Sequence, residues 1–254
     1  MANPLTSIKS GNPGLNDKTF AGLPRPVLAS ERMTLQGTVN KSFVLLVALL
    51  AGALWPWSQY LATGNPAVVL APVLIGTFGG LLVAVAMIFR PLLAPYLAVP
   101  YAALEGLALG GVSAMLERRY PGIAIQAVGL TFGVMASLLL AYSMGLIHVT
   151  QRFKAIVIAA TGAVAVVYIV SLVLHLFHVA TPFLTDSSPL SIGISLVFIV
   201  VAALNLVLNF DLIENGVAQG APRFMEWYSA FALLLTLVWL YMEILRLLGN
   251  LRQR

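Results

Sequence analysis

The sequence predicts an all-α integral membrane protein of seven transmembrane helices. Three observations carry that reading. Hydrophobic residues make up 60% of the 254-residue chain and charged ones only 9%, against roughly a quarter charged in soluble domains. The mean hydropathy is +0.95, more apolar surface than a soluble core of this size absorbs. The ionisable residues are gathered into short clusters between long apolar runs, as expected when lipid is the solvent for most of the chain.

Residues 1–40 are polar and rich in Ser, Asn, Pro, Gly and Thr, with Lys9, Lys18, Arg25, Arg32 and Lys41 outnumbering Asp17 and Glu31. They are expected to form a disordered tail ahead of a membrane domain over 41–254. The tail lacks the basic start and short apolar segment of a cleaved signal peptide, so the first apolar run is expected to stay as a helix.

Seven apolar runs follow, at about 43–62, 67–89, 92–116, 121–147, 153–178, 189–212 and 228–249. Each is close to the ~20 residues that span ~30 Å of hydrocarbon. Asn65-Pro66, Tyr120-Pro121 and Ser188-Pro189 place proline at helix starts, where a first-turn N–H has no partner to lose. Trp55, Trp57 and Tyr60 close the first run, and Trp227 and Tyr228 open the last, as interfacial aromatics.

The net charge of +5 and pI near 9.7 reflect topology rather than nucleic-acid binding, because the bases sit in the tail and loops. With the N-terminus inside, the five tail bases join Arg90, Arg152, Lys154 and Arg223, against Arg118, Arg119, Arg252 and Arg254 outside. Nine against four predicts a cytoplasmic N-terminus. Cysteine is absent, which excludes disulfides, thiolate chemistry and cysteine metal sites. His148, His175 and His178 are the remaining nitrogen ligands. His175 and His178 read as an interfacial pair rather than as metal ligands.

Small residues recur four apart: Gly76 with Gly80, Gly106 with Gly110, Gly129 with Gly133 and Ser137, and Ser191 with Ser195. Such faces let helix backbones approach closely, here within one bundle. No internal repeat points to an inverted-repeat transporter.

Ionisable side chains inside a spanning helix cost roughly 2.5–3.5 kcal/mol each, so they are retained for function or for an internal pair. The candidates are Glu105 in the third run, Asp211 at the end of the sixth with Glu214 beyond it, Glu243 in the last run three residues before Arg246, and Arg90 in the turn after the second. Arg90, Asp211 and Glu214 fall at the cytoplasmic face, where Arg90 has Asp211 as a candidate partner. Fifteen residues from Tyr228 to Glu243 make a rise of about 22 Å, placing Glu243 toward the opposite face from Asp211. Glu243 with Arg246 is also readable as a self-neutralising i,i+3 pair.

From residue 205 the sequence reads NLVLNFDLIENGVAQGAPRFMEWYSAFALLLTLVWLYMEILRLLG, which resembles the C-terminal signature of a bacterial branch of the Bax inhibitor-1 family. The NFDLIENG helix end, the GAPRFMEWY loop and the LVWLYMEILRLLG helix carry the resemblance. Weaker similarity runs back to about residue 33 through FRPLLAPYLAVPYAALEGLALGG. The resemblance implies seven helices with the last one central, and a pH-sensitive calcium leak gated by two acids on the last two helices. It also implies an arginine near the end of the second helix that latches the closed state.

Asp211 matches the acid of the sixth helix and Arg90 the neighbourhood of the latch. For the second acid, aligning LYME selects Glu243, whereas aligning the terminal RLLG places Thr236 there. If Thr236 holds that position, Glu214, Glu105 or Glu243 has to substitute.

Two carboxylates close together in low dielectric cannot both ionise readily, so such a pair holds a proton near neutral pH. The reading for this chain is therefore a pH-sensitive cation leak, with Asp211 as sensor and site for a calcium ion in transit, Arg90 as latch, and Glu105, Glu214 or Glu243 as further acids. No cofactor is expected, and calcium enters only as the permeant ion. The partner is the lipid bilayer, in a bacterial inner membrane by the branch resemblance.

A rival reading is a regulator that binds a membrane protein partner, such as a quality-control protease, through its polar tail. An enzyme is not expected. There is no phosphate loop or zinc helix motif, and Ser58, Ser113 and Ser137 lack a base.

Overall fold

A computed structural model describes residues 31–177 and 188–253. Residues 1–30, most of the predicted tail, and His178 of the histidine pair lie outside the described residues. The described residues form seven long helices: α1 (Leu35–Thr63), α2 (Ala67–Phe89), α3 (Ala94–Arg119), α4 (Ile123–Ser143), α5 (Gln151–Leu176), α6 (Pro189–Ala218) and α7 (Met225–Arg252), with a 3-10 turn over Pro91–Leu93. All seven are long and apolar enough to cross a membrane, and the protein is an integral multi-pass membrane protein.

Three boundaries differ from the apolar runs, for local reasons. Helix α1 begins at Leu35, eight residues before its run, because Thr34 caps it: its Oγ1 accepts from the amide of Gly37 at 2.9 Å. Helix α4 stops at Ser143 although the sequence stays apolar to residue 147, since Gly145 turns the chain in the left-handed region. The sixth and seventh helices absorb most of the loop expected at 213–227, leaving only residues 219–224 between them. Asp211, expected at the end of α6, and Glu214, expected beyond it, therefore both lie inside the helix. The predicted Ser188-Pro189 start is formed, with Ser188 Oγ accepting from the amide of Ser191 at 3.3 Å.

The last helix is central: α7 packs against α1, α3, α4 and α6, while α2 lies on α3 and α5 lies on α6. Its Tyr228, Phe231 and Leu234 join Leu45 of α1, Met87 of α2 and Tyr101 of α3 in the largest core cluster. On its other side Leu240 and Ile244 pack with Ile123, Leu206 and Ala202.

Glycine determines how close α1 and α3 come. A Cβ on Gly106 or Gly110 would collide with the backbone of Leu49 or Ala53, so the two helices meet backbone to backbone. Gly76 plays the same part between α2 and α3. The predicted Gly129/Gly133 face of α4 has nothing against it within 4 Å.

Ahead of α1, residues 31–34 lie against the α6–α7 loop. The amide of Met33 donates to Ala221 O at 2.6 Å, and that of Arg223 to Glu31 O at 2.7 Å. Glu226 in the first turn of α7 fastens this segment: its Oε1 accepts from the amide and hydroxyl of Thr34, both at 2.9 Å, and its Oε2 pairs with Lys41. A carboxylate is favoured there because the helix N-terminus is the positive end of its dipole.

Candidate functional site

Helix α6 carries a line of polar residues into the bundle. Asn205, Asn209 and Asp211 lie in the second half of a mostly apolar helix, and each finds a partner on a neighbouring one. Asn205 Nδ2 donates to Thr161 Oγ1 of α5 at 2.7 Å, and Asn209 Nδ2 to Thr236 Oγ1 of α7 at 2.8 Å. Asp211 Oδ2 forms an ion pair with Lys154 Nζ of α5 at 2.7 Å and accepts from Asn215 Nδ2 at 3.1 Å.

The Lys154–Asp211 pair is largely withdrawn from solvent, with side-chain exposures of 6% and 15%. Lys154 stands in the first turn of α5, which Thr150 caps by accepting from the amide of Phe153 at 3.2 Å. That capped start fixes the depth at which the ammonium meets α6. Glu214, one turn beyond Asp211 and exposed, accepts from the hydroxyl of Tyr142 of α4 at 2.6 Å. Helices α4, α5 and α6 are thus tied at one end by polar bonds.

The partner expected for Asp211 was Arg90. That pair is not formed: Arg90 is exposed at the end of α2 and has no salt bridge among the described residues. The reason is packing. Helix α2 lies on α3 and α1, whereas α6 lies on α7, α4 and α5. Lys154 occupies the place given to Arg90.

Glu243 belongs to a different cluster. Buried at 2% exposure, its Oε2 pairs with Arg246 Nη2 at 2.5 Å, and its Oε1 accepts from the Tyr168 hydroxyl and from Trp239 Nε1 at 3.2 Å. The Arg246 guanidinium lies over the rings of Tyr168 and Phe198, at 5.8 and 5.3 Å. Thr236 is the residue of α7 that faces α6 at the polar line, and Glu243 stands seven residues, or about 10 Å, farther along the helix. The two register alternatives of the sequence thus resolve into separate positions: Thr236 with Asn209, and Glu243 with Arg246.

Glu105 is half-buried on the α2–α3 seam, where a Cβ on Gly80 would meet its Oε1 at 3.0 Å. It forms no ion pair among the described residues. The sequence-derived acids therefore occupy three places: Asp211 with Glu214 beside Tyr142, Glu243 with Arg246, and Glu105 on the α2–α3 seam. Among the described residues no three His, Asp or Glu side chains are grouped to hold a metal ion. Asp211 can offer its ionic charge to a passing cation only by giving up Lys154.

Sequence reasoning missed Lys154, Asn205 and Asn209, and the signals were present. Lys154 lies one residue inside its apolar run but was counted as a topological base. Asn205 and Asn209 are four apart in a spanning helix, a spacing that puts both on one face. Glu117 was missed too: its carboxylate caps α4, accepting from the amides of Gly122 at 2.6 Å and Ala124 at 3.0 Å.

A family described as Bax inhibitor 1 like matches residues 5–253 of the chain. No curated protein sequence matches it.

Proposed function

The chain belongs to the Bax inhibitor 1 like family, and from that premise we propose that it is a pH-sensitive cation leak held closed by the Lys154–Asp211 ion pair, with calcium as the permeant ion. The observation that supports this reading is the pair itself, two opposite charges facing each other across α5 and α6 at 2.7 Å and nearly out of solvent. Breaking a buried pair by neutralising one partner costs about 3–5 kcal/mol, because the other charge is left stranded. Removing the charge of either partner strands the other, and separating α5 from α6 lets water reach the ammonium.

Besides Lys154, the groups around Asp211 are Tyr142 of α4 and Glu214 and Asn215 of its own helix. Glu214 is engaged by Tyr142 rather than by Lys154. Glu214 and the half-buried Glu105 are further acids available to cations in this proposal, and Arg90 is left as a positive-inside anchor. Lys41, Arg90, Arg152 and Arg223 at the same end of the bundle support a cytoplasmic N-terminus in this proposal, with a bacterial inner membrane suggested by the branch resemblance.

The test is calcium influx into dye-loaded liposomes at pH 6, 7 and 8. Wild-type influx should change across this pH range, and Asp211→Asn should leak at all three pH values with little response to pH. Absence of flux above empty liposomes from folded protein overturns the reading, as does an unchanged pH response in Asp211→Asn.

One observation favours a second reading, a regulator of a membrane protein partner. Residues 31–34 are fastened through Glu226 to the first turn of the central helix, so a partner pulling on the tail would act directly on α7. Deleting residues 1–30 should abolish partner control and leave liposome flux intact.

A further inference from the structure

Helices α1 and α4 are not packed against each other. Between them opens a cavity of about 630 Å³, floored by α3 and α7, within the 300–1,000 Å³ range of sites that hold small molecules. Its walls are apolar: Leu50 and Leu54 of α1, Ile125, Val128 and Phe132 of α4, and Val238 of α7. The two hydroxyls on its floor, Ser113 and Tyr241, bond each other at 2.7 Å, which leaves them without a demand on an occupant.

Length and charge together select what fits. Along α1 the lining runs from Leu46 to Trp57, a rise of about 16 Å, which is one leaflet of a hydrocarbon core ~30 Å thick. The groove ends beside the α3–α4 turn, and three arginines surround that end. Arg118 stacks over Tyr60 at 5.8 Å, Arg119 over Tyr120 at 5.5 Å, and Arg252 donates to Pro121 O at 2.8 Å. None has a salt bridge among the described residues; Glu117, whose carboxylate lines the groove and accepts from the amides of Gly122 and Ala124, offsets one of the three charges. A leaflet-deep apolar slot that ends at net positive charge matches a lipid with an anionic headgroup.

We propose that the groove between α1 and α4 binds one acyl chain of an anionic phospholipid, whose phosphate lies against Arg118, Arg119 and Arg252. The site is separate from the Lys154–Asp211 seam and does not depend on the leak reading.

The test uses the full chain in nanodiscs containing phosphatidylglycerol or phosphatidylcholine, each with a photoactivatable group on the chain, read by peptide mapping and by native mass spectrometry. Wild type should retain phosphatidylglycerol several-fold more than phosphatidylcholine, with cross-links concentrated on the peptides holding Leu54 and Ile125. Val128→Trp should fill the slot and remove those cross-links. Arg118→Gln with Arg119→Gln should erase the preference between headgroups while the chain still cross-links. Equal retention of the two lipids by wild type, or cross-links spread evenly over all lipid-facing helices, overturns the site. A preference that survives the arginine substitutions overturns the headgroup assignment.

Discussion

Asn209 of α6 donates its side-chain amide to Thr236 Oγ1 of α7 at 2.8 Å, with both residues buried. This bond sets the register of the two helices at the heart of the bundle. With Asn209 opposite Thr236 and the helices antiparallel, Glu243 falls opposite the level of Ala202, roughly 13 Å along the axis from Asp211. The two acids therefore cannot share a proton while this register holds, and Asp211 finds its counter-charge in Lys154.

A double-mutant cycle on Asn209→Ala and Thr236→Ala measures what the bond contributes. Hydrogen bonds between membrane helices average about 0.6 kcal/mol and reach about 1.7 kcal/mol. A coupling in the upper part of that range is expected from unfolding in mixed micelles, because both groups are out of reach of water. Zero coupling would show that the register is set by the surrounding apolar packing alone.

The Lys154–Asp211 pair makes a sharper prediction, because the double change should undo most of what either single change costs. Lys154→Met or Asp211→Asn alone should lower stability by about 3–5 kcal/mol, since each leaves a charge or its polar site uncompensated. Lys154→Met combined with Asp211→Leu should recover most of that loss, as apolar replacements of buried pairs do. Thermal unfolding of the four proteins checks this, and a double variant whose loss is the sum of the two single losses would mean that Lys154 and Asp211 act independently.

Glu243 is held by Arg246, Tyr168 and Trp239, and this argues that its first task is to neutralise a guanidinium inside the bundle. Glu243→Gln should cost stability, because Arg246 remains over two aromatic rings with no counter-charge. It should leave the pH response of calcium influx in place. Tyr168→Phe should be milder, since the ion pair to Arg246 survives without it. A flat pH profile in Glu243→Gln would instead move the sensor from α6 to α7.

Much of this arrangement was legible in the residues. Helix number followed from the seven apolar runs, and the depth of Glu243 followed from counting residues along α7. Helix ends were harder, because the end of α6 is set by capping and by the Gln219–Gly220 turn rather than by hydropathy. The partner of Asp211 was hidden for a different reason. Arg90 and Lys154 are both basic residues at the same face of the membrane, and only the packing order of the helices, with α5 beside α6 and α2 beside α3, separates them. The Glu226 clasp was equally out of sight, because it joins residues 192 apart in the chain.

The same limit applies to the small-residue faces, where one pattern has two outcomes that substitution distinguishes. On α3, a side chain at Gly106 would meet the backbone of Leu49 and Ala53, which cannot retreat without prising α1 from α3. Gly106→Ala should therefore destabilise the bundle, and Gly106→Leu should prevent its assembly. On α4 nothing lies within 4 Å of a Cβ at Gly129 or Gly133, so Gly129→Ala meets no obstacle and gains the helix propensity that glycine lacks, about 1 kcal/mol in aqueous hosts. Thermal unfolding should show Gly129→Ala at or above wild type and Gly106→Ala below it. If Gly129→Ala is instead as damaging as Gly106→Ala, the α4 face is covered by something outside this chain, and a second copy packing there would be sought by cross-linking from that helix.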